Sequence, residues 1–199
     1  MKIKLSVIFI AAGILLLSGA LGLFFHNEKI QKEAAEASEK LMPQIVEAIK
    51  IQQEEPAEPA VAAPDKKEMI SVEIEGEDYI GFVGIPELGL ELPVMADWDY
   101  EKLKKAPCRY SGSVYTEDFV VMAHNYKKHF GKLLQLHSGS LITFTDMEGE
   151  TFRYEVVSVE VLPDYAVEEM TSGDFEFTLF TCTYTGEGRV AVRCDRIKE

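Results

Sequence analysis

From Leu5 to Phe25 the chain reads LSVIFIAAGILLLSGALGLFF, a run of 21 residues without a charged side chain. A helix rises about 1.5 Å per residue, so a run of this length matches the ~30 Å hydrocarbon core of a bilayer. A cleaved signal peptide is the alternative, because Ser18-Gly19-Ala20 resembles a small-residue cleavage site. The apolar run continues past that tripeptide and exceeds an ordinary signal h-region, which favours an anchor at residues 5–25. Lys2 and Lys4 precede the run, and His26, Asn27 and Glu28 follow it. This charge bias predicts a cell-membrane protein with a single pass, a cytoplasmic tail at residues 1–4 and an extracellular remainder.

Residues 26–67 read as a stalk and linker. Residues 28–53 are rich in Glu, Lys, Gln and Ala, which predicts a solvated helix broken near Pro43. Glu54 to Pro64, EEPAEPAVAAP, holds three prolines among small residues and has little to bury, so it should stay extended. The folded domain is expected over residues 68–199. With 20 basic and 34 acidic side chains the net charge is 20 − 34 = −14, which argues against nucleic acid as a partner. Hydrophobic residues at 47% and charged ones at 27% suit a chain that buries an ordinary core.

Beyond the linker, short runs rich in Val, Ile, Phe, Tyr and Thr alternate with Gly, Pro, Asp and Ser, the punctuation of an all-β domain. Strands are expected at Tyr79–Gly84, Leu88–Val94, Phe119–Ala123, Leu141–Asp146, Thr151–Leu162, Phe175–Thr181 and Arg189–Ile197, with MEGE as a hairpin turn. Seven or eight strands of this kind suggest a barrel. Two short helices fit between them, Tyr100–Lys104 after a cap at Asp97 or Asp99, and His129–Leu136, where Phe130, Leu133, Leu134 and His137 fall at helical spacing. Phosphate-binding loops and metal-ligand spacings are both missing from the sequence.

The three cysteines, Cys108, Cys182 and Cys194, are too few for a disulfide framework and leave at least one thiol unpaired. Cys182 ends the apolar run FTLFTC, where a strand meeting a turn can hold a sulfur rigidly and keep it reachable. A thiol becomes a good nucleophile beside a cation or hydrogen-bond donor. Two such groups stand at similar places: His124 ends the run FVVMAH, and Arg189 opens the strand after Cys182. Each has a bland reading alone, as a buried thiol, a satisfied strand-end imidazole or a rim charge. Arg193 competes with Arg189, since the two lie four residues apart on one strand and share a face. His129 and His137 read as surface or rim groups, and His26 as an interfacial residue. Cys108 and Cys194 can pair or stay free.

In combination, TLFTC (Thr178 to Cys182), His124 lying 182 − 124 = 58 residues upstream, and Arg189 before an apolar β-run resemble the sortase family. IGFVGIPELGLELPV and CRYSGSVYTEDFVVMAHNY are similar to the family's opening strands and to its approach to the histidine, so the resemblance covers about Asp78 to Lys198. It implies an eight-stranded barrel and a cysteine transpeptidase without a cofactor. In that reading Cys182 attacks an LPxTG-like C-terminal sorting signal of a secreted protein and holds it as a thioacyl intermediate. His124 exchanges protons with the departing and incoming amines, and Arg189 binds the substrate backbone and the oxyanion. Thr181 and the Thr183 amide are further candidate donors to substrate. The acceptor is a cell-wall amine such as a peptidoglycan precursor of a Gram-positive bacterium. Arg189 is preferred over Arg193 because it directly precedes the apolar run, whereas Arg193 precedes Cys194-Asp195.

No apolar segment follows Ile197 and no lid-like Asp-Pro-aromatic motif precedes the first strand, which argues against a pilus-building class C enzyme. The 58-residue spacing leaves little room for the class B helical insertion. Pro163 to Asp174 falls where the family has a mobile loop; its Asp164, Glu168 and Glu169 are hard oxygen donors of the type calcium takes, with a solvated acidic loop as the preferred reading. Two rivals to the transpeptidase stand: a hydrolytic thiol peptidase using the same residues, and an exported β-barrel binding module without catalysis.

Overall fold

In this computed structural model, which describes residues 5–54, 67–172 and 174–198, the strands are β1 (Val72–Ile74), β2 (Glu77–Ile85), β3 (Leu90–Met95), β4 (Cys108–Ser111), β5 (Phe119–Met122), β6 (Leu141–Asp146), β7 (Thr151–Pro163), β8 (Phe177–Cys182) and β9 (Gly188–Arg196). Alternation is plainest in β7, where Phe152, Tyr154 and Val156 are buried and Thr151, Arg153, Glu155 and Val157 are exposed. The sheet runs β1-β2-β3-β4-β5-β8-β9-β7-β6, and β6 pairs back onto β2. Strands β2 to β9 therefore form a closed eight-stranded barrel, with β1 as a hairpin extension on β2. Closure removes the unpaired edges that an open sheet would expose. β2 manages two partners through Gly81, whose φ of +140° suits glycine and whose Cβ, were there one, would collide with the Thr145 carbonyl.

Inside the barrel the inward residues of β2, β3 and β5 to β9 meet in one core. Phe119 stacks on Phe177 at 5.0 Å and meets Phe144 edge-on at 4.9 Å, with Val121, Leu179, Val190 and Val192 around them. The sequence did not reveal β1 or β4, since neither VEI nor CRYS carries an apolar run. The expected helix at 100–104 is a single 3-10 turn at Lys102–Lys104, opened by Asp99, whose Oδ1 accepts from the Glu101 and Lys102 amides at 2.7 Å each. The helix expected at 129–136 is likewise reduced to turns ending in the 3-10 segment Leu133–Gln135, enough to bury Phe130 and Leu133.

Helix α1 spans Leu5–Glu54 without a break, so the interruption expected at Pro43 is absent. The chain divides into two compact units, Met1–Glu33 and Ala34–Glu199. In the first, the helix is long and apolar enough to cross a membrane. In the second, Ala34, Ser38, Leu41, Ile45 and Ile49 form a buried stripe. Leu41, Ile45 and Ile49 join Ile74, Tyr79, Met95, Leu103, Cys108 and Met147 in a core of their own. The region anticipated as a solvated stalk is thus, over 34–54, packed on the barrel. Pro43 lies on the solvent face, where water can satisfy the carbonyl its missing amide leaves free, while docked residues on both sides hold the axis. Residues 1–4 lie outside the described residues, as does the linker expected at 54–64 apart from Glu54, which ends the helix.

Candidate active site

β5 and β8 pair in parallel, from Phe119↔Phe177 to Met122↔Phe180, an offset of 180 − 122 = 58 residues. The seam continues past the strand ends. The Ala123 amide donates to the Phe180 carbonyl (3.2 Å), the Thr181 hydroxyl to the Ala123 carbonyl (2.8 Å) and Asn125 Nδ2 to the Thr183 carbonyl (3.3 Å). His124 therefore stands opposite Cys182, because 182 − 124 is again 58. On its other side β8 pairs antiparallel with β9, and that register ends at Cys182↔Arg189. Residues opposite one another share a face. Imidazole, thiol and guanidinium thus form one row across three adjacent strands, on the outer barrel face, while Leu179, Val190 and Val192 point inward.

All three side chains line one cleft of about 220 Å³. Its floor is Met122 and Phe180. One wall is aromatic, with Trp98 stacked on Tyr110 at 5.7 Å and Tyr110 edge-on to Phe180 at 5.3 Å. Ala166, Val167 and Met170, from the β7–β8 connection and its short helix α2 (Val167–Thr171), also line the cleft. Cys182 and Arg189 are each partly exposed. Burial, helped by the charge of Lys104, holds the His124 pKa below the ordinary histidine value. Arg189 Nη1 donates to the Gly188 carbonyl (3.0 Å) and the Gly186 carbonyl (3.3 Å), which ties one prong of the fork to the β8–β9 turn.

The other candidates separate clearly. Arg193 is buried and acts as a clamp: it donates to Glu160 Oε1 (2.6 Å), the Glu169 carbonyl (2.7 Å), the Met170 carbonyl and Thr178 Oγ1 (3.2 Å each), fastening α2 to the barrel. Thr181 lines the cleft, but its hydroxyl hydrogen is engaged by Ala123. The Thr183 amide, expected as a substrate donor, is engaged by the Gly188 carbonyl at 2.9 Å, which closes the β8–β9 turn. All three cysteines are free. Cys108 and Cys194 sit in separate cores, so no bridge links them, and burial pushes both thiols up, Cys108 to about 12. Among the described residues, Asp164, Glu168 and Glu169 do not converge into a metal-binding group.

His129 departs furthest from its surface reading. It is fully buried, with Nε2 3.2 Å from Ser38 Oγ of α1, and burial lowers its pKa to about 4. Its neighbours in sequence, Lys127 and Lys128, are exposed, so no local pattern marks the position as interior.

A closed barrel that sets a partly exposed thiol between an imidazole and a guanidinium, all three lining one apolar cleft, defines the class of protein. A family model for the sortase domain matches residues 83–197. A sortase A of Bacillus anthracis is 31% identical over 169 residues, 79% of this chain and 75% of that protein. Sortase C1 of Streptococcus suis is 27% identical, with a TM-score of 0.52 over 61% of this chain and 74% of that one. The fold is shared with the sortase D5 transpeptidase of Clostridium perfringens (18% identity, TM-score 0.58, 84% of this chain and 99% of that one). It is shared too with a Clostridium perfringens sortase C solved with the C-terminal cell wall sorting motif (21% identity, TM-score 0.55, 90% of this chain and all of that one). The chain belongs to the sortase family, and membership implies a cysteine transpeptidase.

Proposed function

We propose that this protein is a membrane-anchored transpeptidase that cleaves an LPxTG-like C-terminal sorting signal and transfers the secreted protein to a cell-wall amine outside the cell. The observation that carries the reading is the row His124, Cys182, Arg189 lining an apolar cleft. A related sortase C solved with a sorting motif supports the substrate class.

Cys182 Sγ, as thiolate, attacks the scissile carbonyl carbon. As the C–N bond breaks, the imidazolium of His124 gives its proton to the departing amine, leaving a thioester on Cys182. An incoming amine then attacks the thioester carbonyl, neutral His124 takes its proton, and the thiolate is released as the new amide forms. The lowered pKa of His124 makes its imidazolium a stronger acid toward the leaving group. With Nη1 engaged on the turn, Arg189 keeps its Nε and Nη2 donors for the substrate carbonyl, whose oxygen gains charge in the tetrahedral intermediate.

Mass spectrometry of the full chain in detergent tests the reading, using a panel of LPxTG-like peptides with and without oligoglycine. An adduct on Cys182 and amine-dependent ligation are expected, both lost in Cys182→Ala. Cleavage to free acid at equal rate with and without amine identifies a hydrolytic peptidase instead. Binding without adduct or cleavage identifies a binding module.

A further inference from the structure

The stripe of α1 that docks on the barrel contains one hydroxyl, Ser38, which is almost fully buried. Its Oγ donates to the Lys105 carbonyl at 3.0 Å and lies 3.2 Å from His129 Nε2. Since the serine hydrogen points to Lys105, its oxygen acts as acceptor toward His129, which assigns the ring hydrogen to Nε2. Nδ1, on the far side of the ring, is buried without a hydrogen-bond partner. A buried imidazole kept with one nitrogen unsatisfied calls for a reason beyond packing.

The ring contacts supply one. His129 meets Tyr126 with centroids 5.5 Å apart, and Tyr126 meets His124 at 4.8 Å with the planes inclined by 34°. The backbone between them is a closed turn. The His129 and Gly131 amides both donate to the Tyr126 carbonyl (2.9 and 3.0 Å), and the Phe130 amide donates to the His124 carbonyl (3.2 Å). Gly131 leaves no room for a side chain, because a Cβ would lie 2.8 Å from the Tyr126 oxygen. The turn is thus gripped at one end by β8, through Ala123 and Asn125, and at the other by α1, through Ser38.

We propose that Ser38 and His129, acting through Tyr126, are positioning residues for His124: the stack of rings rising from α1 sets the plane of the imidazole beside Cys182. The inference rests on the acid–base role proposed above for His124. Neither Ser38, His129 nor Tyr126 lines the cleft, so their influence falls on the chemical step rather than on substrate binding. Misplacing a reacting group by about 1 Å can cost on the order of 100-fold in rate, and a reoriented ring retains part of its function.

The test uses the full chain in detergent with the peptide and oligoglycine assay. Ser38→Ala and Tyr126→Leu are each expected to lower kcat about tenfold with KM unchanged. Ser38→Thr, which keeps the hydroxyl, should restore most of the rate. In histidine-labelled protein, the ring-proton NMR signals of His124 should shift in Ser38→Ala. A Ser38→Ala protein with a lower Tm but unchanged kcat and an unmoved His124 signal would show that Ser38 serves stability alone, and would overturn the proposal. His124→Ala separates the two readings: if it turns over like the wild type, the acid–base role fails, while the His124 signal in Ser38→Ala still decides whether the stack orients the ring.

Discussion

Acid should loosen the packing of α1 on the barrel through His129. Burial pushes the folded pKa of this imidazole down to about 4, against the upward pull of the Ala34 backbone, whereas an unfolded histidine titrates near ~6.5. Above pH ~6.5 the ring is neutral in both states and contributes no pH dependence. As pH falls from ~6.5 toward ~4 the unfolded chain binds the extra proton, and stability drops by about 1.4 kcal/mol per pH unit. Below the folded value both states are charged and the loss stops. The window from ~6.5 to about 4 corresponds to a total of about 3 kcal/mol, a large part of the roughly 5–15 kcal/mol that holds a domain together. Urea unfolding from about pH 7 to about pH 4 should compare the wild type with His129→Gln, whose amide keeps a donor toward Ser38 and does not titrate. Carboxylates titrate alike in both proteins, so the wild-type advantage should shrink by about 3 kcal/mol across the range. A difference that stays constant with pH would refute the buried, neutral assignment of His129.

Three further outcomes follow from the packing. Ile45→Ala, at a fully buried position of α1, should cost about 3 kcal/mol in denaturant unfolding, while Val46→Ala on the exposed side should cost under ~0.5; equal small effects would mean that the helix is not docked. Thr181→Val keeps the shape but leaves the Ala123 carbonyl without its hydroxyl, so unfolding measurements should show a loss of about 1–3 kcal/mol, absent if that bond carries no weight. A small alkylating reagent should add a single label to the native protein, at Cys182, and reach Cys108 and Cys194 only after denaturation; mass spectra showing either buried thiol labelled at a comparable rate would contradict their burial.

The strands were legible where alternation or apolar runs are strong; β6 has the bounds expected for it, and β2, β3, β5, β7, β8 and β9 differ at their ends. The set of His124, Cys182 and Arg189 was legible because TLFTC, an upstream strand-end His124 and Arg189 before an apolar run together resemble the sortase pattern; the structure adds that the spacing of 58 residues from His124 to Cys182 equals the register offset of the parallel pair. Tertiary packing decided the rest. A stripe of Ala34, Ser38, Leu41, Ile45 and Ile49 is too mixed to stand out, and Pro43 reads as a stop until its exposed placement is seen. Sequence likewise cannot say which amides are already engaged, so Thr183 looked free although the β8–β9 turn uses its N–H.

The parallel seam between β5 and β8 joins segments that lie far apart along the chain. β6, β7 and α2 all intervene between the two strands, so the imidazole and the thiol meet only after a long loop has closed, among the slowest kinds of contact for a folding chain to make. Until that pairing forms, Cys182 has no imidazole on the neighbouring strand end. In the transpeptidase proposed above, a chain exported before it folds would travel with imidazole and thiol still apart, and barrel closure would itself complete the centre at the destination.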